Sequence, residues 1–200
     1  KRVDFFFDVV CPYAYIASQQ IEALAQKNNA QVRWVPVLLG GIYKSLRSAQ
    51  YPSSNWNASK QRQGLKDLVN EAARKQIPLN YPKNHPQKTV NAMRLLTMCP
   101  SEQLPKLAQR LYRAYWVESL PMSDSVLNTI AQEFNLAHDI FLQDDAKQNL
   151  FRNTEEAVKH GVFGVPSMIV DGELWWGQDR LHFVEQALGG SSSTEPPSIL

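Results

Sequence analysis

Hydrophobic residues crowd the stretch "RVDFFFDVV" at residues 2–10, too short a run for a helix and rich in β-branched and aromatic side chains. It predicts a buried strand. The pattern then changes period. From Pro12 to about Lys27, Tyr13, Ile16, Ala17, Ile21, Leu24 and Ala25 recur at helical spacing, predicting one helix that opens on a proline. "QVRWVPVLL" at 31–39 reads as a second strand. A helix of this length between two strands suits a right-handed parallel crossover.

The middle of the chain loses its strands. Residues 40–59, with Gly40, Gly41, Pro52 and a Ser/Asn cluster, read as a long loop. Helical patterns follow at 60–75, 87–99, 102–118, 123–135 and 145–160, with Ser123 or Asp124 as a cap for the fourth. The proline-rich "IPLNYPKNHP" at 77–86 separates the first two as an ordered loop. Strands return in "PSMIVDGELWWG" at 166–177, where Asp171-Gly172 is a strong hairpin signal. "QDRLHFVEQALGG" at 178–190 closes as a helix stopped by its glycines. The order is βαβ, a helical block, then ββα. That is an α/β chain with the element order of a thioredoxin-like fold interrupted by an all-helical insertion. Residues 1–59 and 160–190 would form a discontinuous thioredoxin-like domain, 60–159 the insertion, and 191–200 a disordered tail.

Composition narrows the function. The 200 residues carry a formal charge of +2, with Lys and Arg dispersed. No basic stripe suggests a nucleic-acid partner, and no apolar run has the length of a membrane span. The two cysteines, Cys11 and Cys99, make neither a disulfide framework nor a zinc site, and the four histidines show no metal spacing, so no metal is expected. A reducing compartment follows, the cytoplasm or an organelle such as a mitochondrion or peroxisome.

Candidate chemistry sits at the joints between elements. Cys11 falls where the first strand turns into the first helix, and Ala14 stands where a C-x-x-C site would have its second thiol. A thiol at a helix start faces unpaired N–H groups, which favours thiolate. Val165-Pro166 precedes a strand in "FGVPSMIVDG", as in the cis-proline loop of thioredoxin-like proteins. There the residue before Pro offers its backbone to a peptide-like ligand. Gln178 and Asp179 open the last helix, as a simple cap or as a site for an α-amino acid end. Asn55, Asn57 and Lys60 lie in "SSNWNASK", and Lys44 follows Gly-Ile-Tyr. Tyr112, Tyr115 and Trp116 suggest a core helix face or an aromatic pocket.

"FFFDVVCPYAYIAS" and "FGVPSMIVDGELWWGQDRL", with the helical insert between them, resemble the 2-hydroxychromene-2-carboxylate isomerases and the related kappa-class glutathione transferases, in the disulfide-oxidoreductase-like branch of the thioredoxin fold. The resemblance runs to about Gly190. It implies glutathione as cofactor and a usual homodimer. Cys11 matches the family position, usually Ser, that stabilises the glutathione thiolate. Val165, before Pro166, matches the residue that clamps the cysteinyl backbone. Gln178 and Asp179 match the pair that holds the γ-glutamyl end, where Ser or Asn more often precedes Asp. Lys60 matches a basic residue of the glutathione site, and Asn55, or Asn57, the asparagine ahead of it. Lys44, Tyr15 and Trp116 are weaker candidates for the second substrate, a small aromatic acid or electrophile. The implied reaction interconverts 2-hydroxychromene-2-carboxylate and trans-o-hydroxybenzylidenepyruvate in naphthalene breakdown. Conjugation of glutathione to electrophiles is the alternative. Because Cys11 replaces Ser, a monothiol oxidoreductase acting covalently is a third reading.

Overall fold

Residues 1–49 and 55–189 are described in a computed structural model of the chain. The predicted tail at 191–200 and part of the predicted loop lie outside them. The first strand, β1 (Arg2–Phe7), is central in a four-stranded sheet of order β2-β1-β3-β4. It runs parallel to β2 (Gln31–Pro36) and antiparallel to β3 (Ser167–Val170), which pairs antiparallel with the edge strand β4 (Glu173–Trp176). A central strand is covered on both faces, which explains its near-continuous apolar run. Phe5 and Phe7 stack at 5.6 Å between ring centroids, and Trp34 of β2 meets both edge-on. Asp171 and Gly172 have φ of 50° and 90°, so both take the left-handed conformation of a tight hairpin turn, as the sequence suggested.

Two predicted elements take another form. The expected helix 12–27 is two helices, α1 (Pro12–Ser18) and α2 (Ile21–Lys27). Polar side chains at the joint compete for the helix's own carbonyls. Ser18 Oγ donates to Tyr15 O, and Gln20 Nε2 donates to Ile16 O. The second strand ends at Pro36, and part of the predicted loop is helix α3 (Leu39–Ser45) despite its two glycines. Tertiary contacts override propensity here. Leu39 N–H donates to Asp8 Oδ2 at 2.9 Å, Ile42 is fully buried, and a Cβ on Gly41 would press on Thr154 Cγ2 at 3.1 Å.

The helices α4 (Ala58–Arg74), α5 (Val90–Thr97), α6 (Leu104–Trp116), α7 (Asp124–Glu133) and α8 (Asp144–Lys159) follow the predicted order. Ser123 holds the cap position of α7 without a side-chain cap bond. The last predicted helix starts as a 3₁₀ turn at Gln178–Arg180 and becomes α9 (Leu181–Gly189). The helical block shares one core with the sheet: Phe5, Phe7, Trp34, Met93, Tyr112, Trp116 and Phe141 belong to a single buried cluster. α8 also lies against the sheet. Thr154 Oγ1 accepts from Leu38 N at 3.0 Å, Asn153 Nδ2 donates to Pro36 O, and Glu156 pairs with Arg33 at 2.9 Å.

Candidate active site

Cys11 occupies the N-cap position of α1, with Pro12 as first helical residue. Its turn is fastened by the helical block. Asp8 O accepts from Cys11 N–H, Trp116 Nε1 donates to Val9 O at 2.8 Å, and Val9 N–H points to Met93 Sδ at 3.4 Å. Cys11 is 7% exposed, and its Sγ–H donates to Val165 O at 3.2 Å. The Val165–Pro166 peptide is cis, as the loop's likeness suggested.

The helix-start amides favour thiolate as expected, but burial outweighs them. Burial pushes the thiol up to about 12, and the buried Asp8 adds to the rise. The amides of Ala14 and Tyr13 pull downward, but by less. A helix of seven residues offers little dipole against burial this deep. The resting group is a neutral thiol.

Asp8 is the most consequential residue missed in the sequence. It is 1% exposed, and burial raises its pKa. Oδ1 accepts from Val10 N–H and Thr89 Oγ1, and Oδ2 from Leu39 N–H. One carboxyl thereby ties β1, α3 and the start of α5 beneath Cys11. A lone acid inside "FFFDVV" was the available signal. Three tyrosines, Tyr13, Tyr43 and Tyr112, also interact electrostatically with Cys11, and burial raises the pKa of each. Tyr43 is pushed up to about 12.

A cavity of about 820 Å³ lies along α1, α2, α4 and the start of α9, lined by neither Cys11 nor Val165, and it carries Lys27, Arg74 and Lys75 as well as acids. Tyr13, Asp67, Glu71, Gln178, Asp179 and His182 are among its lining residues. Gln178 is 8% exposed, yet its Oε1 has no hydrogen-bond partner among the described residues. A buried acceptor left unpaired in a cavity wall costs roughly 1–3 kcal/mol unless a donor arrives. Asp179 is ion-paired with Arg180 and reaches back over Gly177. A Cβ on Gly177, whose φ is 108°, would lie 2.6 Å from Asp179 Oδ1, so only glycine permits this turn.

The remaining candidates are spread out. Lys60 sits at the start of α4, seven residues before Asp67 and therefore on its face, with its ammonium 4.6 Å from the Trp56 ring centre. Asn57 caps α4 by accepting from Lys60 N–H at 2.9 Å. Asn55 is exposed just ahead of it. Lys44 is exposed in the last turn of α3. Tyr15 and Trp116, read as weak substrate contacts, are corrected to core residues. Trp116 is fully buried on Val9 O, and Tyr15 packs on Tyr112 while donating to Pro78 O.

A thiol at the head of the first helix, facing the carbonyl before a cis-proline, is the arrangement of thioredoxin-like proteins. The model of the DSBA-like thioredoxin domain matches residues 2–189, and the chain belongs to that family. Within it, the chain is 29% identical over 197 residues to a 2-hydroxychromene-2-carboxylate isomerase of Pseudomonas sp. (strain C18), covering 94% of this chain and 91% of that one. It is also 29% identical over 214 residues to glutathione S-transferase kappa 1 of Rattus norvegicus, covering 94% and 91%. A solved 2-hydroxychromene-2-carboxylate isomerase superposes with a TM-score of 0.85 at 25% identity, covering 95% of each chain.

Proposed function

We propose that the protein is a glutathione-dependent isomerase of the 2-hydroxychromene-2-carboxylate type. The observation that carries this reading is the state of Cys11: a buried, neutral thiol already acting as a hydrogen-bond donor. A neutral donor stabilises another group's thiolate, whereas a covalent nucleophile must itself ionise. At pH 8 a group with a pKa of about 12 is ionised in roughly one molecule in ten thousand, which disfavours the monothiol oxidoreductase reading.

The residues fit glutathione. Gln178 Oε1 lacks a donor and an ammonium supplies one. Asp179 and Asp67 line the same cavity and offer carboxylates to that ammonium. Val165 is in reach of Cys11 to hold a cysteinyl backbone, and Lys60 and Asn55 stand at the α4 end for a carboxylate. Bound glutathione would supply a sulfur nucleophile that adds reversibly to a conjugated acid and so allows rotation about its former double bond. Cys11 turns its S–H from Val165 O toward that sulfur and holds its negative charge. Lys44, at the end of α3, receives the carboxylate of the acid. A kappa-type transferase is the second reading, favoured by 29% identity to the rat enzyme, and it uses the same donor. The resemblance also favours a homodimer, which sedimentation would test.

The test is a pair of substitutions at position 11. Cys11→Ser keeps a donor and should retain isomerisation of 2-hydroxychromene-2-carboxylate within a few-fold. Cys11→Ala should lose on the order of 10²–10³ in kcat, the usual consequence of deleting one anion-stabilising donor. Loss of all activity in Cys11→Ser would contradict the donor role.

A further inference from the structure

Asp8 is a buried acid without a cation. Both of its oxygens accept hydrogen bonds, Oδ1 from Val10 N–H at 3.1 Å and Thr89 Oγ1 at 2.9 Å, and Oδ2 from Leu39 N–H at 2.9 Å. Among the described residues no group accepts a proton from it and no cation pairs with it. Three donors and no acceptor complete the ionised form of a carboxyl group. A buried carboxylate that no cation neutralises is costly. This one stands in the turn of the thiol. Its main-chain oxygen accepts from Cys11 N–H at 3.1 Å, and its side chain holds Val10, the residue before. Its charge acts on Cys11. The other titratable groups facing the thiol are Tyr13 on α1, Tyr43 on α3 and Tyr112 on α6, phenols that burial keeps protonated. Among the described residues no cation acts on the thiol.

We infer that Asp8 is a positioning residue that keeps the shared proton on Cys11 and so leaves the negative charge on the sulfur that meets it. For the identity of that sulfur the inference rests on the glutathione reading. Two sulfurs joined by one S–H share one proton, and the sulfur nearer a fixed anion keeps it. Asp8 is 1% exposed and Cys11 7%, so a ligand meets the thiol from the solvent side and stands farther from the carboxylate than Sγ does. Charge on the outer sulfur makes glutathione the nucleophile and Cys11 the donor. Charge on the inner sulfur does the opposite. A Cys11 thiolate attacks a disulfide, a new S–S bond forms to Cys11, and the other sulfur leaves as thiolate. Asp8 thereby selects addition chemistry over disulfide exchange at a position where cysteine is chemically capable of both.

The test compares the full chain with Asp8→Asn, which keeps the size and removes the charge. Cys99→Ser in both backgrounds confines any label to Cys11. Iodoacetamide at pH 9 should alkylate Cys11 roughly tenfold faster in Asp8→Asn, the effect of one nearby charge on a thiol that titrates far above that pH. Glutathione disulfide should leave the parent unmodified and add one glutathionyl group to Cys11 of the variant, read by intact mass. There the Cys11 thiolate attacks and one glutathione leaves as its thiolate. Asp8→Glu restores the charge and should restore slow alkylation. Trp116→Phe loosens the same turn at Val9 O but leaves Asp8 in place, so it should change neither readout. If Asp8→Asn fails to fold, the smaller Asp8→Ser tests the same loss of charge. Unchanged alkylation with no adduct in the uncharged variant, or an equal acceleration in Trp116→Phe, would overturn the inference. Faster alkylation in the uncharged variant, with glutathione binding to neither protein, would sink the glutathione reading alone.

Discussion

At Cys11 two effects oppose each other, and magnitude decides. Two backbone amides lower the thiol pKa, yet full burial and Asp8 raise it to about 12. Alkylation by iodoacetamide should therefore be slow at neutral pH and rise only toward pH 11–12, whereas an ordinary thiol responds near 9.0. A plateau reached below pH 9 would contradict it. The folded pKa lies above the unfolded one, so the protonated thiol's contribution to stability is complete below about pH 9. It is lost as the pH rises to 12. Asp8 has the same sign: its raised pKa makes its contribution fullest in acid and diminishes it as the pH climbs through that value. Asp8→Asn isolates the hydrogen bonds. An amide turned either way presents N–H to at least one of the donors Val10 N, Leu39 N or Thr89 Oγ1, so the substitution should cost about 1–3 kcal/mol in urea unfolding. An unchanged midpoint would show that Asp8 ties nothing together.

Elements explain what could be read in advance. The β1 run and the Asp171-Gly172 hairpin were legible because strand burial and turn chemistry are local. The break at Gln19–Gln20 was hidden, since periodicity continues through it while side chains take the carbonyls. α3 was hidden because its support comes from Asp8 and Thr154, distant in sequence. The Cys11–Val165 pairing was legible from motif and resemblance, but the thiol's protonation was not, because burial belongs to the assembled fold. Gln178's unpaired oxygen was equally invisible. The turn joining β4 to α9 allows a test at this scale. Gly177→Ala must strain a φ of 108° and displace the Asp179 carboxylate. It should destabilise by about 1–3 kcal/mol and weaken glutathione binding while leaving Cys11 alkylation unchanged. Unaltered affinity would separate Asp179 from the ligand.

Across the whole molecule, the helical block is the wall that holds the thiol turn. Thr89, Met93, Tyr112 and Trp116 all reach residues 8–9 from α5, α6 or the approach to α5. A shared core predicts one cooperative unfolding transition, with tryptophan fluorescence and far-ultraviolet dichroism coincident. Trp116→Phe leaves Val9 O without its donor and should lower both midpoints together, by about 1–3 kcal/mol. Two separated transitions would mean that sheet and helices fold independently.

The most direct measurement is calorimetric titration of the full chain with reduced glutathione, beside Asp179→Ala. One-to-one saturable binding, weakened about tenfold or more by the substitution, is the expected result for a charged hydrogen-bonding partner. No heat at millimolar glutathione, or equal affinity in Asp179→Ala, would contradict a glutathione site built from Cys11, Val165, Gln178 and Asp179.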